Sequence, residues 1–346
     1  MFRPVCTIGQ RISFERKLKE FFRNKVVRPA SVLKPAEKIK LYNKENKDLF
    51  GPLLETNKQK KQRLQKAAKN SASHQNNGAR CQETKLKYKE STERYVRQCD
   101  PLIGYSSICS AAQPGYVSED KILQIKHHQN DYAQQYPSVT LILNKTMTDD
   151  SRTALEKWKQ ERIAEMGVEE FNKFYEAQMA VGTKFHNTLK NYFTQPKSQL
   201  RIEKEVEGVW TSVNDILKSI SAPKAIESNV VHPVLKYRGV FDAIADYEEK
   251  PTLIEWKKSD KPRKSIALTY DNPVQLAAYF GAVCNDLNYK HLNVRDALLV
   301  IAYTDGSKAD AYHLPTDKLR EHWAQWLIRG YRESPVIYAE FSNKNE

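Results

Sequence analysis

Long hydrophobic runs are missing from this chain. The longest, Ala297 to Tyr303, falls far short of the roughly 20 apolar residues that span a bilayer, so nothing in the sequence reads as a membrane helix. Paired cysteines are missing as well: Cys6, Cys81, Cys99, Cys109 and Cys284 form no CxxC spacing, and only Cys284 lies in the C-terminal block. That argues against a disulfide framework and a zinc site and suits a reducing compartment. Acidic residues are scarce through residue 136, where 13 face 27 basic ones; from residue 137 onward 29 face 29, so the whole net charge of +14 belongs to the first part. The basic part shows no sustained hydrophobic periodicity, whereas the neutral block 137–346 is long enough to bury a core. The expected organisation is one globular domain, 137–346, behind a basic leader.

The leader divides in two. "MFRPVCTIGQRISF" carries Arg3 and Arg11 without an acidic residue, and Phe14, Leu18, Phe21 and Phe22 follow at helical spacing. Residues 1–33 thus resemble a mitochondrial transit peptide, with Glu15 and Glu20 against the pattern. Residues 34–136 are rich in Lys, Gln, Asn and Ser, a composition that buries too little apolar surface to offset the entropy of ordering, and are expected to be largely disordered. Their charge would attract phosphates nonspecifically, and a solvated linker explains it equally well.

The globular block reads as helices, three strands, a helix, two strands and a closing helix. "DDSRTALEKWKQERIAEMG" has Asp and Ser as cap residues and Gly167 as a stop; a second helical stretch ends in "VGTKFHNTLKNYF", where Gly182 and His186 share a face. A third helix is expected at about Ser212 to Ile220. "AIESNVVHP", "YRGVFDAIADY" and "TLIEWKKS" have strand composition, and the last two form a hairpin. Placing its turn between Glu248 and Glu249 sets Asp242 opposite Glu255, close enough for two carboxylates to share a divalent cation. Asp271 and Pro273 signal the start of a helix that puts Gln275 and Tyr279 on one face.

Charges inside apolar strands must be paired, exposed or bound to metal. Glu255-x-Lys257 alone says little, because the same triplet begins at Glu15, Glu45, Glu83 and Glu248. The ordered set is more specific. GxxxH (Gly182, His186) on a helix, GxxD (Gly239, Asp242) on a strand, ExK (Glu255, Lys257) on its partner and QxxxY (Gln275, Tyr279) on a following helix resemble the RecB-type branch of the PD(D/E)xK nuclease superfamily. "SVTLILNKTMTDDSRTALEKWKQ", "GTKFHNTL", "YDNPVQLAAYFGA" and "VIAYTDGS" further resemble the mitochondrial genome maintenance exonuclease family over about 137–332. Tyr270 stands where that pattern has Phe, and Glu255 where it has Asp.

The resemblance implies an α/β, restriction-endonuclease-like core: a mixed sheet flanked by helices, with a helical arch preceding Gly182 through which a single strand threads. It implies Mg²⁺ or Mn²⁺ held by Asp242, Glu255, the carbonyl of Trp256 and His186. Lys257 would orient the attacking water or stabilise phosphoryl charge, and Gln275, Tyr279 and Lys184 would brace the site or touch DNA. Glu227 is an even choice between metal ligand and surface charge. Some RecB-type relatives carry an iron-sulfur cluster on four cysteines; with Cys284 alone in the core, none is expected here. The implied activity is a metal-dependent single-strand DNA exonuclease acting on flaps and free ends in mitochondrial DNA replication and repair, within the matrix. A structure-specific endonuclease and an inactive nucleic-acid-binding module are the alternatives.

Overall fold

The hairpin register anticipated from the position of its turn is the observed one. Strand β2 (Tyr237–Tyr247) pairs antiparallel with β3 (Lys250–Ser259), with Tyr247 opposite Lys250 and Ala243 opposite Ile254. Glu248 and Glu249 close the loop with φ of +49° and +64°, the positive φ at both positions that a two-residue I′ turn demands and that matches the twist of the flanking strands. Strand β1 (Ile220–His232) lies on the other side of β2. Beyond β3 the chain crosses through a helix and returns as β4 (Asp296–Tyr303), parallel to β3; β5 (Asp310–Pro315) then pairs antiparallel with β4. The result is a mixed five-stranded sheet in the order β1-β2-β3-β4-β5.

The computed structural model describes residue 65 and residues 78–104, 121–126 and 135–333. The chain divides into two units, Met1–Asn76 and Asn77–Glu346, and the sheet with its helices belongs to the second. The transit-like stretch 1–33 and most of the leader lie outside the described residues. Seven helices are described in the second unit: α1 (Gly78–Cys99), α2 (Val139–Lys145), α3 (Asp149–Met166), α4 (Val168–Thr194), α5 (Glu207–Leu217), α6 (Asn272–Asn285) and α7 (Thr316–Glu333). None among the described residues is long and apolar enough to cross a membrane.

Helices cover both faces of the sheet, and each face has its own core. On one side α6 and α7 bring Leu276, Phe280, Trp323 and Trp326 against Leu253, Leu299 and Ile301; on the other α4 and α5 bring Phe185, Leu189, Val209 and Val213 against Ile254, Trp256 and Val300. Alternation along β3 and β4 distributes these side chains cleanly. Along β1 and β2 it breaks. Ala225 and Val230, like Ile244 and Phe241, face the first core, while Ile226 and Ala243 face the second. The break falls at Glu227 on β1, whose φ is +45°, and at Asp242 opposite it on β2.

Local sequence explains most boundaries. Thr148, one residue before the expected Asp and Ser, caps α3 by accepting from the Ser151 N–H at 3.2 Å, and Gly167 ends it with φ +82°. The third helix begins earlier than anticipated, at Glu207, and stops at Leu217 because Ile220 already belongs to β1. Asp271 precedes α6 without a side-chain capping bond; its carboxylate instead takes both arms of Arg329 at 2.6 and 2.7 Å. Gly239 is required by packing, since a Cβ there would lie 2.3 Å from the Tyr279 ring.

The globular unit starts upstream of the boundary expected at Pro137. Tyr95 and Cys99 of α1 and Ile103 just after it are buried in the first core, where burial pushes the Cys99 thiol up to about 12. Trp323 Nε1 donates to the Cys99 carbonyl at 3.2 Å and Asn285 Nδ2 to that of Leu102 at 2.7 Å. Residues 121–126 lie along β1, with Leu123 N–H bonding Lys224 O at 2.8 Å and Ile226 N–H bonding Leu123 O at 3.0 Å. The sequence signal was present but thin: the three buried side chains recur at steps of four within a strongly charged segment.

Truncation separates the two boundaries. A chain beginning at Asn77 should melt as cooperatively as the full chain. One beginning at Pro137 loses large buried side chains worth about 1.5–3 kcal/mol each, against a total stability of about 5–15 kcal/mol, and should lose its cooperative thermal transition in circular dichroism. An unchanged Tm for the shorter chain would mean that the Tyr95–Ile103 segment contributes nothing to the core.

Candidate active site

The interruption of alternation on β1 and β2 puts two carboxylates beside each other. Glu227 and Asp242 are cross-strand neighbours, framed by the pairs Ile226–Ala243 and Ser228–Phe241. Helix α4, anchored to the second core by Phe185 and Leu189, carries His186 over them. His186 Nδ1 lies 3.2 Å from Asp242 Oδ1 and 3.4 Å from Glu227 Oε1. One ligand atom from each of the three residues falls within 4.8 Å of the other two.

The second oxygen of Asp242 is held from the opposite side. The backbone N–H of Trp256 on β3 donates to Asp242 Oδ2 at 2.7 Å, so the carboxylate is clamped between strand and helix. Trp256 was expected to supply its carbonyl to a metal; the described contact is through its N–H, and its ring fills the second core. One residue before it, Glu255 is almost fully buried and gives Oε1 to Lys257 Nζ at 2.7 Å. Glu255 Oε2 is buried with no hydrogen-bond partner.

Charge is balanced here among groups that are costly to bury. Desolvation raises the Asp242 pKa, but the His186 and Lys257 charges and the Trp256 N–H outweigh it and hold the carboxyl below its ordinary range. Burial would strip the proton from His186; the Asp242 and Glu227 carboxylates overcome that and hold its pKa up at about 10. Glu255 goes the other way: burial, then the Asp242 charge, push it up to about 7 despite Lys257. Lys257 is disfavoured as a cation by burial, yet Glu255 and Asp242 keep it above its ordinary value.

The donor set fits a hard divalent cation. Two carboxylates and one imidazole converge, and neighbouring Glu255 keeps a buried carboxylate oxygen without a hydrogen-bond partner, a costly arrangement that a cation would relieve. The tight three-atom group consists of His186, Glu227 and Asp242, whereas Glu255 lies outside it. Glu227, an even choice from sequence, therefore sits closer to His186 and Asp242 than the motif acid does. Its residue type gives no hint of this; the left-handed backbone that aims it cannot be read from Glu.

The other expected residues are placed as follows. Gln275 and Tyr279 are buried and bonded to each other, Gln275 Nε2 to Tyr279 Oη at 3.0 Å. The Tyr279 ring packs closely against Gly239, three residues before Asp242, so the QxxxY helix buttresses the GxxD strand. Burial and the Glu255 charge push the Tyr279 pKa far up, and the phenol stays neutral. Lys184 is not left free for phosphate: it pairs with Glu203 at 2.6 Å and Glu205 at 3.1 Å. Gly182 faces the stem of Lys258 at an ordinary contact distance, with room for a methyl group. The aromatics preceding His186 are folded into packing, with Phe171 buried between Trp158 and Tyr175, each ring 6.0 Å away.

No family model matches the chain. Three curated proteins do resemble it, all named mitochondrial genome maintenance exonuclease 1. It is 38% identical over 196 residues to that of Homo sapiens, 38% over 194 to that of Mus musculus and 39% over 194 to that of Xenopus tropicalis. Each match covers 56% of this chain and 56–57% of the relative, so the chain spans a little over half the length of the curated relatives it matches.

Cation binding should be proton-linked. A ligating imidazole must be neutral and a ligating carboxyl ionised, so a cation entering here displaces the proton that His186 holds up to about 10 and the one that Glu255 holds up to about 7. Mn²⁺ affinity by calorimetry should therefore be higher at about pH 8.5 than at about pH 6, and Asp242→Ala should erase the binding heat. Equal affinity at both pH values would mean that neither proton is displaced.

Proposed function

We propose that this chain is a metal-dependent exonuclease of the PD(D/E)xK type that hydrolyses single-stranded DNA from a free end, trimming flaps and ends during mitochondrial DNA replication and repair in the matrix. The observation that carries this reading is the convergence of His186, Glu227 and Asp242 beside the Glu255–Lys257 pair, in a chain similar over 196 residues to a protein named as a mitochondrial exonuclease. The mixed sheet with helices on both faces is consistent with such a fold. The domain assigned to this activity is 137–346, supported upstream by α1 and residues 121–126.

Asp242, Glu227 and His186 would hold Mg²⁺ or Mn²⁺, with Glu255 and the Trp256 carbonyl adjacent. When bound, the cation supplies Lewis-acid polarisation of the scissile phosphate and a bound water of lowered pKa. Asp242 is preoriented by the Trp256 N–H. Lys257, kept charged by its two carboxylate neighbours, stabilises charge that develops on the phosphoryl oxygens, which is where a fixed cation gains most. Gln275 and Tyr279 act as a brace. They hold β2 in place, and with it Asp242, without needing to reach solvent. Helices α3 and α4, joined at Gly167, would form the arch past which a single strand is led to His186.

The decisive assay uses end-labelled DNA. Linear single strands and unpaired flaps should be shortened from a free end with Mg²⁺ or Mn²⁺; blunt duplex should be cut poorly, closed single-stranded circles should resist, and EDTA should stop all cutting. Rapid cutting of circles would make the protein an endonuclease. Lys257→Ala should lower the cleavage rate by about 10²–10³-fold with DNA affinity nearly unchanged, the pattern of an interaction made in the transition state. A folded Lys257→Ala protein with full activity would remove Lys257 from the chemistry.

A further inference from the structure

The loop between β3 and α6 connects the two elements that supply Glu255, Lys257, Gln275 and Tyr279, and it carries the most exposed large hydrophobic side chain among the described residues. Tyr270 is 71% exposed. It also sits at φ +56°, a strained conformation for a bulky residue that persists only when the surroundings impose it. Between Asp260 and Asp271 the loop contains Lys261, Arg263 and Lys264 and no acid.

The surroundings do impose it. The Arg263 guanidinium lies over the Tyr270 ring, 4.7 Å from its centroid, and donates to Tyr270 Oη at 3.2 Å. Arg263 is itself fixed at three points: its N–H donates to Tyr303 Oη at 2.7 Å, its carbonyl accepts from Tyr312 Oη, and its Nε donates to Ser259 Oγ at 3.3 Å. At the other end Asp271 is locked to Arg329 by two bonds. A strained, exposed aromatic ring clamped on one face by an arginine, in a basic loop pinned at both ends, is an expensive arrangement for a surface with no task.

We propose that Tyr270, backed by Arg263, is a stacking platform for one unpaired base of the DNA strand whose phosphate reaches the Asp242–Lys257 site, with Lys261 and Lys264 flanking it toward the phosphate backbone. This rests on the reading of that site as a nuclease centre. One face of the ring is occupied by the guanidinium, so the free face takes a single base, in a sequence-tolerant way because every base has a π-face. Preorganisation matters more than area here: the ring does not need to be ordered on binding. The platform supplies an exposed ring for unpaired bases that the buried Phe171 and Phe185 of α4 do not offer.

The test is binding of a fluorescent single-stranded oligodeoxythymidine by the full chain in EDTA, read by anisotropy, with cleavage of the same oligonucleotide in Mg²⁺ as a parallel arm. Tyr270→Ala should weaken binding by about 5- to 100-fold, and Tyr270→Phe, which keeps the ring, should restore most of it. Scanning one abasic residue along the oligonucleotide should reveal a position that weakens wild type and leaves Tyr270→Ala unaffected, a pattern that loss of folding cannot produce. If wild type cleaves in Mg²⁺ but Tyr270→Ala, with an unchanged Tm, binds as tightly as wild type, the platform is overturned while the nuclease reading stands. If wild type neither binds nor cleaves the strand, both fall.

Discussion

One carboxylate holds the arrangement together. Asp242 uses Oδ2 to accept the Trp256 N–H of the neighbouring strand at 2.7 Å and Oδ1 to face His186 at 3.2 Å. It therefore ties the sheet to helix α4 while remaining the group around which the other charges are arranged. It can do so because side-chain alternation along β1 and β2 breaks at Glu227 and Asp242. In an unbroken pleat Phe241 and Ala243 would share a face; here they enter opposite cores, with Asp242 between them and Glu227 beside it on β1. The left-handed backbone of Glu227 is the visible cost of that arrangement.

Around this point the fold supplies rigidity in layers. Tyr279 fills the space that only glycine at position 239 leaves open, and Gln275 fixes the phenol by a buried hydrogen bond. Phe185 and Leu189 seat the helix that presents His186. Two positively charged side chains, His186 and Lys257, lie against the carboxylates, so the groups of the site are held in place by the fold itself. Such preorganisation is what electrostatic catalysis requires, since groups already aimed at developing charge need no rearrangement.

Much of this was legible in the sequence, for identifiable reasons. The order of elements followed from hydrophobic periodicity, and the β2–β3 register from Tyr247–Lys250 to Ala243–Ile254 followed from the turn at Glu248–Glu249, because one turn position fixes the register of a hairpin. What could not be read was set by distant parts of the chain. Lys184, inside α4, pairs with Glu203 and Glu205 beyond the end of that helix, and Asp271 turned from its cap to Arg329 in α7. Glu227 depended on a backbone conformation that glutamate does not advertise. The α1 segment was hidden by its charge, although Tyr95, Cys99 and Ile103 recur at four-residue steps; three apolar positions in so basic a stretch look like solvated helix until their partners in α6 and α7 are known.

On this reading His186, Glu227 and Asp242 form a divalent-cation site. Anomalous diffraction from crystals grown with Mn²⁺ tests it most directly. The account predicts an anomalous peak bordered by His186, Glu227 and Asp242, with Glu255 Oε2 turned toward the cation or its water. A peak found only elsewhere, or none at Mn²⁺ concentrations that support cleavage, would contradict it.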